Sequence, residues 1–206
     1  MENYIFSEYL ERDILTFEEL LKKEPGNILA KRRLALAYQM KNQYTDSINL
    51  IGVVLREDHG KLNNLGMKGW TWHDDQTILG LSFLEIEAFS RAERIFRDVK
   101  GDYCENPLTL HCLGRCHHIY GKLQKSKVEF CEAVEYLESA VKYGLMHCNK
   151  PDYDSLCMEK RFFVEKAIVD SYELLITADL GVGKPIKALM AWAGFKISCA
   201  RFPIRY

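Results

Sequence analysis

Apolar residues recur along this chain at the three-and-four spacing that places them on one face of a helix. The spacing predicts helices at about residues 2–10, 12–24, 28–41, 44–58, 71–87, 89–100, 107–120, 126–145, 153–180 and 185–200. Loops fall near Gly60, Asp102 and Asn149. Stop and start signals agree with this reading. Asn106-Pro107 is an N-cap residue followed by proline at the first helical position, and Pro185 opens the last helix in the same way. The long helix from Pro151 spaces Phe162, Phe163, Ile168, Tyr172 and Ile176 for one buried stripe.

The helices are not independent, because the pattern repeats. Leu34-Ala35, Tyr38, Ser47, Ile51 and Val54 form one series, with Asn42 and Tyr44 at its turn. Leu79-Gly80, Phe83, Phe89, Ala92, Phe96 and Val99 form a second, followed by Pro107. A third reads Leu113-Gly114, Tyr120-Gly121, Ala133, Leu137 and Ala140, with about six extra residues between its helices. Ahead of these, Phe17, Leu20, Leu21 and Pro25 read as the second helix of a partial unit. Small residues on the first helix let the second approach closely, and Ile51, Phe96 and Leu137 fill what remains. One hairpin cannot bury its own apolar face, so each must lean on its neighbours.

On these residues the sequence resembles the tetratricopeptide-repeat (TPR) family over roughly residues 1–144. The family tryptophan is replaced by Lys31, Gln76 and Leu110. The insert from Leu62 to Trp72 also resembles the interferon-induced TPR proteins and related divergent vertebrate members. The expected fold is all-α, a TPR-like solenoid of helical hairpins in a right-handed superhelix. The expected organisation is one domain, 1–206, with a partial unit at 1–27. Full units follow at about 28–61, 73–106 and 107–150, with divergent helices at 151–206. Trp70 and Trp72, beside Gly66 and Gly69, are expected to plug the gap between the first two full units.

The resemblance implies that the first helix of each unit lines a groove for a partner peptide or helix. The residues placed there are Arg32, Arg33, Leu36 and Gln39, then Thr77 and Leu81, then Arg115 and His118, with Leu84 and His111 beside them. The Lys and Asn clamp of chaperone-tail binders is missing, because its positions read Arg32, Leu36, Arg33, Asp74 and Ile78. The interferon-induced members hold RNA ends in a basic tunnel, and here only Arg32, Arg33 and Arg115 could serve. A protein partner is therefore the first reading and RNA the alternative.

Composition narrows the chemistry. Apolar residues make up 48% and charged residues 28% of the 206, which is globular. Lys and Arg number 28 against 29 Asp and Glu, so no global field collects phosphates. Seven cysteines with no secretory signal at Met1 point to reduced thiols and a cytoplasmic setting. The longest apolar stretch, Ala188 to Phe195, is too short to span a bilayer, and no membrane partner is expected.

Candidate reactive groups all have plainer readings. Gly181-Val-Gly183-Lys184-Pro185 approaches a phosphate loop, but proline replaces the magnesium-binding hydroxyl and a helix precedes it where a strand is needed. His111, Cys112, Cys116, His117 and His118 share a helix without the short paired spacing of a zinc site, so buried packing is expected even if Cys104, Cys131 and Cys148 approach. Asp74-Asp75 beside His73 reads as a charged helix start. Lys122, Lys125 and Lys127 read as a solvated edge. No catalytic residue, metal or cofactor is expected, and the chain is read as a non-enzyme. The last helix is almost wholly apolar and Phe202 to Tyr206 bring no polar cap, so a further repeat or a second copy is expected to cover that face.

Overall fold

The computed structural model describes residues 2–58, 67 and 69–201. Every regular element among them is helical. The α-helices are α1 (Glu2–Lys23), α2 (Ile28–Met40), α3 (Tyr44–Asp58), α4 (Trp72–Glu85), α5 (Phe89–Asp102), α6 (Pro107–Gln124), α7 (Lys127–Cys148), α8 (Met158–Gly181) and α9 (Pro185–Arg201), with a short 3₁₀ turn at Tyr153–Ser155. Two compact units result, one through Ile95 and one from Phe96, and the division falls inside α5.

Two expected boundaries move. The break near residue 11 does not occur, and α1 runs unbroken. Glu11-Arg12-Asp13 contains neither Gly nor Pro, so nothing there interrupts the hydrogen-bond ladder. The helix expected from 153 begins at Met158, after the 3₁₀ turn.

Successive hairpins turn through one residue in the left-handed region. Asn42 (φ 61°), Glu87 (φ 62°) and Lys125 (φ 51°) do this after α2, α4 and α6, and Gly183 (φ 79°) does it after α8. That recurrence is the backbone counterpart of the sequence repeat. Helix starts are capped locally as well. The Asn27 side chain accepts from the Ala30 N–H at 3.0 Å. Asn106 accepts from Leu108 and Thr109 ahead of α6, with Pro107 at its first position.

In the first unit, α1 packs on α2, α2 on α3, and α3 on α4. Ile14, Leu34 and Ala37 are buried there, with Leu10, Phe17, Leu21, Tyr38 and Leu50 against them. Ser47, Ile51 and Val54 are buried on α3, and Ala92 on α5. Trp70 is buried and Trp72 half-buried, while residues 59–66 and 68, with the loop expected near Gly60 and most of the preceding insert, lie outside the described residues.

In the second unit, α6 packs on both α7 and α8, α7 on α8, and α8 on α9. Phe96, Val99, Leu113, Ala133, Leu137, Ala140 and Ile168 are fully buried. Glycine is required where helices cross. A methyl on Gly114 would lie 2.6 Å from Leu137 Cγ, and one on Gly144 would lie 2.5 Å from Ile168 Cγ1. The Phe130 ring fills the space between α6 and α8, because a methyl on Gly121 or Gly181 would come within 2.9 or 2.8 Å of it.

Candidate functional site

The positions assigned to a partner groove sit on α2, α4 and α6. On α2, Arg32 is buried and bonds the Asp75 carboxylate from both Nε (2.9 and 3.0 Å) and Nη2 (2.6 Å). The Trp70 indole donates to Asp75 Oδ1 at 2.8 Å. Burial pushes the Asp75 carboxyl up to about 6, while Arg32 and Trp70 pull it down, so it is ionised at neutral pH.

Asp75 is therefore more than a charge at a helix start. Asp74 takes the capping role, its Oδ2 accepting from the Thr71 N–H (2.8 Å) and hydroxyl (2.9 Å). Two turns along α2 from Arg32, the Gln39 carbonyl accepts from the Ser82 hydroxyl, which also lies 3.3 Å from Ser47 Oγ. Arg32–Asp75 and Gln39–Ser82 thus form two rungs between α2 and α4, seven residues apart on each helix.

The second unit repeats the device with histidines. His111 Nδ1 lies 2.9 Å from Ser171 Oγ, and His118 Nε2 lies 3.4 Å from Thr177 Oγ1, both between α6 and α8. Burial depresses His111 to about 3 and His118 to about 4, so both rings are neutral near pH 7. His118 also packs edge-on against Phe130.

The residues of the expected groove lining differ in exposure. Arg32, Leu36, Gln39, Thr77, Leu81 and His118 are buried, as are Leu84 and His111. The side chains of Arg32, Gln39, His111 and His118 join first helices to one another, and Thr77 bonds the His73 carbonyl of its own helix at 2.7 Å. Arg33 on α2 and Arg115 on α6 stay half-exposed. The polar rungs were missed because each joins residues far apart in sequence. The only local trace is an i, i+7 recurrence of polar residues inside an apolar face.

The remaining candidates are placed as follows. Cys112 and Cys116 are buried, whereas Cys104 and Cys131 are exposed. His117 bonds Glu129 at 2.7 Å and stacks on Tyr136. Among the described residues no group of three or more His, Cys, Asp or Glu side chains could hold a metal ion. Gly181 to Pro185 is the turn between α8 and α9, with helix on both sides. Lys122, Lys125 and Lys127 are exposed.

Helical hairpins with a left-handed turn and a small-against-bulky crossing define the class: the fold is a TPR-like helical-hairpin solenoid. Solved structures of MamA, a TPR-like helical protein, are similar to it. One MamA crystal structure matches at 15% identity over 91% of this chain and 87% of its own, with a TM-score of 0.57. A second matches at 13% identity over 100% and 92%, also at 0.57. An AMB-1 MamA structure matches at 17% over 96% and 91%, at 0.52. At such identities the likeness is one of fold. No family model matches the sequence, and no curated protein matches it by sequence, the interferon-induced TPR proteins included.

Proposed function

We propose that the chain is a non-catalytic scaffold that binds a partner protein through a peptide or helix. The observation that supports this is the run of stacked hairpins, an architecture that presents extended surfaces rather than an enclosed reaction site. The fold likeness to MamA adds to it as analogy. Arg33 and Arg115 are the residues of the expected groove set that can reach a partner, since both are half-exposed.

The RNA reading loses its strongest cation. Arg32 is held by Asp75 inside the first unit and is not available to phosphates. The test is capture of partners on the immobilised chain, compared with an Arg33→Glu/Arg115→Glu variant of unchanged helicity, alongside RNA titrations across salt. The scaffold reading expects specific protein capture that the variant weakens, with negligible RNA binding. RNA binding that falls steeply with salt and disappears in the variant would replace it.

A further inference from the structure

The helix that closes the second unit is turned in an unusual sense. α9 buries its small residues, Ala188, Ala191 and Ser198, and Gly194 meets the Tyr172 ring of α8. Phe195 packs inward against the cluster around Ile168, and the other large apolar residues point away. Ile186 is 76% exposed, Leu189 65%, Met190 68% and Ile197 68%. Their spacing of i, i+3, i+4 and i+11, with exposed Ala193 between, draws one straight stripe along the helix. A contiguous apolar stripe of this kind marks a contact surface.

Charge says what covers it. From Leu180 to Tyr206 the sequence carries Lys184, Lys187, Lys196, Arg201 and Arg205 and no acidic residue. Helical geometry sets Lys187 and Lys196 on opposite edges of the stripe. Lys187 pairs with Glu138 of α7 at 3.0 Å. On the other edge, Lys196 Nζ lies 5.8 Å from the centre of the exposed Trp192 ring.

We propose that the outward face of α9 is a peripheral docking surface for an anionic lipid bilayer, with the stripe entering the acyl boundary and Lys196 meeting headgroups. Apolar residues along the centre, a lysine that can snorkel at the edge, and a tryptophan beside it match an interfacial helix lying flat. A second copy pairing α9 with α9 would bring no acidic residue of that helix to meet Lys196. The contact needs no membrane-spanning segment, and no helix among the described residues is long and apolar enough to be one.

The full chain is sedimented with phosphatidylcholine vesicles and with vesicles holding about 30% phosphatidylserine, at low and high salt. Binding is expected on the anionic vesicles alone and weakens as salt rises. Lys196→Glu lowers the affinity by about tenfold or more. Ile186→Glu/Ile197→Glu abolishes it with unchanged circular dichroism, both positions being solvent-facing. Brominated lipid quenches tryptophan emission in the parent and not in Trp192→Phe. Absence of binding to anionic vesicles, or equal binding by the double variant, overturns the proposal. So does a concentration-dependent dimer or a captured acidic protein helix that the double variant loses while vesicles stay unbound.

Discussion

Arg32 and Asp75 show what a single buried charge demands of its neighbours. The pair is bidentate, and the Trp70 indole satisfies a further carboxylate lone pair. Removing one partner leaves the other charge buried and uncompensated. Arg32→Ala is expected to lower stability by about 3–5 kcal/mol, and replacing both Arg32 and Asp75 by apolar residues of similar volume recovers most of it. Urea unfolding of the single and double variants measures both. His111 gives the residue scale its pH dependence. Its folded pKa, near 3, lies below the ordinary 6.5, so the folded state resists a proton that the unfolded chain accepts. The contribution of His111 is whole above pH 6.5 and falls as pH drops from there toward 3, with His118 acting in the same direction and Asp75, raised to about 6, opposing both. Urea midpoints taken across that range show the slope, and His111→Asn, which removes the titration, flattens it.

Among elements, the hairpin turn is the recurring unit, and its chemistry is uneven. Gly183 and Asn42 suit the left-handed region, whereas Glu87 and Lys125 adopt it against their side chains. Glu87→Gly is therefore expected to stabilise the chain by roughly 0.5–1 kcal/mol, read as a raised thermal midpoint. Much of this level was legible in the sequence. Asn106-Pro107 and Pro185 mark helix starts through backbone chemistry that acts within a few residues. Gly114 and Leu137 reveal a close crossing because small and bulky residues recur at fixed offsets. The polar rungs between first helices were not legible. Arg32 and Asp75 lie 43 residues apart, and neither letter shows that the other will meet it in the interior. The first-helix positions assigned to a groove include these same rung residues, Arg32, Gln39 and His118.

Across the molecule, burial is distributed unevenly along the stack. α6 is covered by α7 and α8, and Leu108, Leu110, Cys112, Leu113, Gly114 and Cys116 are all buried on it. α9 is supported by α8 and exposes its outer face. Amide hydrogen exchange should accordingly be slowest in the middle of α6 and much faster along α9. If α9 exchanges as slowly as α6 in the isolated chain, another body is shielding it, and the same measurement with anionic vesicles present shows whether lipid produces that protection.

The Phe130 ring between Gly121 and Gly181 links the fates of three positions. Gly121→Ala or Gly181→Ala alone should cost about 1–3 kcal/mol, since each forces the same ring aside. Trimming the ring in Phe130→Leu should rescue either alanine variant while weakening the parent, a reversal of sign that double-mutant cycles on chemical denaturation would detect. A mutational path through this part of the stack is thus ordered: the wedge must shrink before either glycine can grow.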